Sequence, residues 1–136
     1  MFKRFCLILS LAIGMVLLVV LPSLAESVDT AWVRRYNGPG NYTDEGHAIA
    51  VDGSGNVYVT GWSYASVTYY DYATIKYLPN GDTAWVRRYN GPGNFGDWDN
   101  TMAVDGSGNV YVTGQSWGSG TYFDYATIKY YPNGDT

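Results

Sequence analysis

The sequence predicts an all-β chain made of two copies of one four-stranded antiparallel unit, and three observations carry that expectation. Residues 29–81 recur at 82–134 without insertion, an offset of 53 positions with 40 identities and 13 differences. Apolar residues fall in short runs separated by Gly-rich turns, and no 11-residue window has a helical period. The chain holds 17 Gly, 14 Tyr and 5 Trp, a composition of short aromatic strands and tight turns.

Taken in chain order, the first segment does not read as part of that fold. Lys3 and Arg4 precede the uncharged apolar run Leu7 to Val20, and Ser23-Leu24-Ala25 follows with small residues at a cutting site. That order predicts a signal peptide over 1–25, cleaved after Ala25. The apolar run is short of the ~20 residues that span a bilayer. Cys6 follows Lys3-Arg4-Phe5 rather than the small, apolar residues that lipidation needs. The expected location is therefore secreted, periplasmic or cell-surface, with no membrane contact beyond the export signal. The mature region 26–136 then has no cysteine, and packing and hydrogen bonds alone must hold it. It carries 6 basic against 12 acidic residues, a balance that argues against nucleic acid and anionic membranes as partners.

Four strands are predicted per unit. Ala48–Val51 leads through the turn Asp52–Asn56 into Val57–Thr60. The glycines of that turn supply positive φ at little steric cost. Tyr72–Tyr77 is the third strand and ends at Pro79-Asn80-Gly81, where Asn-Gly signals a hairpin. Ala31–Tyr36 is the fourth, ended by Asn37-Gly38-Pro39-Gly40. Val57, Tyr58 and Val59 place apolar or aromatic groups on both faces of one strand, which suits a sheet packed between two others.

A fixed period of this size signals a solenoid, array or propeller, and sheets covered on both faces favour β-propeller blades. The run Asp71-Tyr72-Ala73-Thr74-Ile75-Lys76-Tyr77, then Trp85 to Asn94, then Ala103 to Gly114, closely resembles the SBBP bacterial β-propeller repeat family. The resemblance covers 29–134. It implies a multi-bladed propeller in large exported or cell-surface proteins, with no shared catalytic residues. A closed ring needs about four blades or more, and this sequence has two, with Asp135-Thr136 beginning a third copy. The expectation is a fragment of a larger protein, with self-association to complete a ring as the alternative. In ring propellers a stray first strand, here Ala31–Tyr36, often completes the last blade.

Chemistry is sparse. His47 is the only histidine, its counterpart is Asn100, and the expectation for it is an exposed loop. No Cys–His pair or repeated metal site can be assembled. No catalytic residue, metal site or cofactor is predicted. The carboxylate pairs Asp44-Glu45 and Asp97 with Asp99 read as a solvated face rather than a facing glycosidase pair. Asp52 to Asn56 resembles a calcium loop but lacks its further acidic ligands, so a plain hairpin turn is expected. Asp71 and Asp124 are expected to satisfy backbone amides. Arg34-Arg35 and Arg87-Arg88 should point to alternate faces of their strands.

The informative signal is where the units differ. The differences gather at 42–43 and 45–49, and at 62, 64, 65, 67 and 70. These lie in or beside two connections that leave one face of a propeller, while the opposite turns are unchanged. Several bring in large aromatics: Glu45 becomes Trp98 and Tyr64 becomes Trp117, while Trp62 matches Gln115. Loops vary where a scaffold presents them for binding. The candidate ligand-binding residues are Trp62, Tyr64, Trp98 and Trp117, with Asp44, Asp97 and Asp99 as acceptors for hydroxyl-rich or cationic partners. The reading is a non-catalytic scaffold or binding module for an unknown protein or glycan. The alternatives are a lectin-like propeller and part of a secreted hydrolase whose active site lies outside this chain.

Overall fold

A computed structural model describes residues 29–136. The predicted signal peptide and its cleavage site lie outside the described residues. Seven strands form two antiparallel sheets. The first has the order β1 (Asp44–Val51), β2 (Val57–Ala65), β3 (Tyr69–Tyr77), β4 (Thr83–Tyr89), and the second β5 (Asp97–Val104), β6 (Val110–Trp117), β7 (Phe123–Tyr130). Each sheet follows chain order because every connection is a short hairpin, the arrangement of a propeller blade. The four-stranded blade is thus present once in full and once with three strands.

Ala31–Tyr36 departs from expectation. It has the sequence of β4 but joins no ladder. A strand needs a neighbour to satisfy its backbone. β4 takes β3 as its neighbour, and no third strand precedes Ala31 among the described residues. The segment instead lies across the first sheet, where Trp32 Nε1 donates to the Pro79 carbonyl at 3.2 Å and Arg34 Nε donates to that of Gly81.

The strands also run further than predicted at one end. Asp44 pairs with Ser63, and Ser63 with Asp71, so β1, β2 and β3 extend well past Ala48, Thr60 and Tyr72. Most of the differing positions therefore sit on strand ends rather than in loops. A bulge interrupts β1 between Gly46 and Ala48, and another interrupts β5 between Asp99 and Thr101. His47 and Asn100 are the extra residues.

The core lies between the sheets. Tyr58, Thr60, Tyr72 and Thr74 of the first sheet are fully buried against Val110, Val112 and Tyr130 of the second, with Trp85 closing one side. Side chains alternate across a strand, so the residues between these point outward. On the first sheet the outward set is Val57, Val59, Ile75 and Tyr77. It lines an open groove of about 300 Å³ partly roofed by Trp32, Arg34 and Tyr36. On the second it includes Tyr111 and Tyr125.

Candidate functional site

The two ends of the sheets differ in character. At one end the turns Asp52–Asn56 and Asp105–Asn109 stand side by side. Asp52 accepts from the Ser54 and Asn56 amides, the Asn56 side chain and the Tyr58 hydroxyl at 2.8–3.0 Å. Asp105 repeats the pattern with Ser107, Asn109 and Tyr111. Burial works against the Asp52 charge, but the bonds from Asn56, Tyr58 and Ser54 outweigh it and hold the carboxyl down at about 2. Bonds from Asn109 lead the same effect at Asp105, also to about 2. These carboxylates are occupied by their own turns, as a plain hairpin requires. Gly55 and Gly108 supply the positive φ, 79° and 80°.

The other end is aromatic. Trp62, Tyr64, Trp98 and Trp117 are all half-buried there. Tyr70 links the first three, with ring centroids 4.5 Å from Trp62, 5.5 Å from Tyr64 and 6.1 Å from Trp98. Phe123 lies 5.3 Å from Trp98 and 5.0 Å from Trp117, and Phe95 lies 5.3 Å from Trp117. The four candidates are therefore joined across both sheets by rings that were not singled out. Tyr69 adds to them: its ring lies tilted against Phe95, centroids 4.5 Å apart, and it adopts φ 64°. A bulky residue takes that left-handed conformation only at a cost. Tyr42, Tyr69 and Tyr122 are exposed at this end. Tyr42 and Tyr70 stood among the differing positions, whereas Tyr69 and Tyr122 are identical and left no such signal.

Tyr64 and Trp117 also have a packing role that sequence did not reveal. Each backbone carbonyl accepts from a glycine amide, Gly40 at 3.1 Å and Gly93 at 2.9 Å. A Cβ on either glycine would collide with the ring above it.

The acidic neighbours are not where a ligand could use them. Asp97 and Asp99 are fully buried, so the expected solvated face is corrected. Asp97 accepts from the Gly91 and Trp117 amides at 2.6 and 3.1 Å, and Asp44 accepts from Gly38 at 2.9 Å. These carboxylates fasten the Gly-Pro-Gly connection to the strand that follows. Asp99 faces the first sheet, and neither of its oxygens has a hydrogen-bond partner. Burial pushes its carboxyl up, against the opposing pull of Thr60 and His47. His47 is on β1 rather than in a loop, and its Nδ1 lies 2.8 Å from the Asp99 carbonyl.

Asp71 does not serve backbone amides as expected. It is buried, accepts from the Thr68 hydroxyl, and pairs with Arg88 at 2.9 Å. Arg88 donates as well to Ser63 and to Tyr36. Arg87 points to the other face and donates to the Gly134 carbonyl at 2.7 Å, so the alternation of the pair holds. Asp124 is exposed and accepts from Thr121.

Two similar antiparallel sheets, stacked face to face with the turns Asp52–Asn56 and Asp105–Asn109 side by side at one end, define a repeat module of propeller blades. A family model described as the SBBP beta-propeller repeat matches residues 31–66 and 84–120, just over half the chain. The chain belongs to the SBBP beta-propeller repeat family. No curated protein matches it.

Proposed function

We propose that the chain is a non-catalytic, exported propeller-repeat module that presents the aromatic end of its sheets as a binding surface. One observation supports this most. The rings of Tyr64, Trp62, Tyr70, Trp98, Phe123 and Trp117 follow one another across both sheets where the repeats differ. The opposite turns are identical and hold their polar groups internally. Large aromatics give contact area at low entropic cost and dominate binding energies.

A glycan is the ligand class that this surface favours. Tyr42, Tyr69 and Tyr122 are 69%, 51% and 78% exposed and offer flat faces to the apolar side of a sugar ring. With Asp97 and Asp99 buried, the hydroxyls of these tyrosines and the exposed side chains of Glu45 and Gln115 are the polar groups a sugar would meet. A glycan array probed with the exported protein tests the reading. Trp98→Ala and Trp117→Ala should lower binding at least roughly tenfold, as loss of an aromatic anchor does. Ser54→Ala and Ser107→Ala at the opposite turns should leave it unchanged. Loss of binding through the serine variants alone puts the ligand at the wrong end. If no glycan binds the parent protein, the lectin reading fails and the scaffold reading stands.

Export rests on the order of charge, apolar run and small residues in 1–25. The exported protein should begin at Glu26, and its intact mass decides this. Retention of residues 1–25 in the membrane fraction would leave an anchored protein instead.

A further inference from the structure

We propose that a second copy of this chain docks head-to-tail on the first, Ala31–Tyr36 of one copy adding as a fourth strand beside β7 of the next and Arg35 pairing with Asp124 across the contact. The template for this contact lies inside the molecule. β4 pairs with β3 in the register Tyr72↔Tyr89, Ala73↔Arg88 and Ile75↔Val86. The sequence of β4 recurs unchanged at 30–36, and that of Tyr72–Tyr77 at 125–130. The same register sets Tyr36 opposite Tyr125, Arg35 opposite Ala126 and Val33 opposite Ile128.

Charge selects the same match. Arg88 and Asp71 form a pair at 2.9 Å, with Asp71 6% exposed. Their copies, Arg35 and Asp124, are both exposed, and Arg35 has no hydrogen-bond or ion-pair partner among the described residues. The docked register brings these two together as their copies are already brought together.

The sheet faces are complementary in the same sense. Inside the molecule a surface of Tyr58, Thr60, Tyr72 and Thr74 packs on one of Val110, Val112 and Tyr130. The outer surface of the second sheet copies the former, and the outer surface of the first sheet copies the latter. Val33 is 68% and Ile49 69% exposed on the side that would be covered. The donor segment is also in place, because Trp32 holds the Pro79 carbonyl at 3.2 Å as Trp85 holds that of Pro132 at 3.1 Å. Such a contact joins unlike surfaces, so it closes as a ring or continues as a filament. Its main-chain bonds are those of strand addition to an open edge. It uses sheet faces and an edge rather than the aromatic end, so it stands or fails apart from the glycan reading.

The test uses the 136-residue chain. Sedimentation over a range of concentrations should show association. Arg35→Asp and Asp124→Arg should each weaken it at least roughly tenfold, and the double variant should restore most of the loss, as for a desolvated charge pair. In a Cys6→Ser background, mixing Val33→Cys with Ile128→Cys should give a disulfide-linked heterodimer under mild oxidation. A monomer at every concentration overturns the proposal. So does a double variant no better than the singles, or a preference for Val33–Val33 links over Val33–Ile128 links.

Discussion

Tyr72 and Tyr125 occupy the same place in successive repeats, yet Tyr72 is 0% and Tyr125 96% exposed. Tyr72 lies between the sheets, and its hydroxyl donates to the Gln115 carbonyl at 3.2 Å. Burial, with Asp97 and Asp99 nearby, pushes its phenol well above the ordinary value. Tyr72→Phe should cost about 1 kcal/mol of stability through the lost bond, and Tyr72→Ala about 3–5 kcal/mol. Tyr125→Phe should cost nothing measurable in dilute protein. Urea unfolding of the three variants checks the contrast, and equal effects at the two positions would contradict this burial.

Gly61 sits where β1 bulges against β2. A Cβ there would fall within the Glu45 carbonyl, a backbone atom that cannot step aside. Gly53 in the turn has nothing within 4 Å of the same position. Gly61→Ala should therefore cost about 2 kcal/mol or more, through a shifted β1–β2 pairing. Gly53→Ala should be close to neutral. Gly55→Ala lies between them, at about 1–2 kcal/mol, because its φ of 79° is strained for alanine. Thermal unfolding of the three variants gives the order.

Sequence carried the repeat, the hairpins and the end at which the two units differ, because each depends on local chemistry repeated in register. Asp52 illustrates this: a carboxylate followed by Gly-Ser-Gly-Asn can satisfy only the turn that contains it. What depended on a neighbouring sheet was not legible. Asp99 reads as one more polar residue in Asp97-Trp98-Asp99, and only stacking of the sheets buries it. His47 reads as a loop residue because the bulge that places it on β1 has no local signal. Ala31–Tyr36 has every mark of a strand and lacks only the neighbour that would make it one.

The two hairpin carboxylates should make the fold acid-sensitive. Asp52 and Asp105 have folded values of about 2 against an ordinary 3.8. A lowered folded value means stability that is complete above the unfolded value and lost as pH falls through the folded one. Stability should hold above about pH 5 and fall from about pH 4 to pH 2. Asp52→Ala should cost about 1–2 kcal/mol at pH 7 and flatten part of the acid slope. Urea midpoints measured from pH 7 to pH 2 test both. A variant with the parent's slope would show that Asp52 does not supply it.

Asp99 should act in the opposite direction. Its carboxyl is fully buried against the first sheet, and neither oxygen has a hydrogen-bond partner. His47 Nδ1 is 3.4 Å from Oδ1, but it lies closer to the Asp99 carbonyl, at 2.8 Å. In the first repeat the matching residue is Gly46, so the fold does not require an acid here. Burial raises the folded value above the unfolded one. The cost to stability therefore builds as pH rises above the unfolded value and is complete above the folded value, and there is none below the unfolded value, where both states are protonated. Asp99→Asn removes the charge but still buries an amide, so the gain is a fraction of the full penalty, about 1 kcal/mol at pH 7. That gain should shrink as pH falls and vanish near pH 4 or below. Urea midpoints of parent and variant across this range decide it: a loss of stability at pH 7 would mean that the Asp99 carboxylate is held by bonds that outweigh its burial.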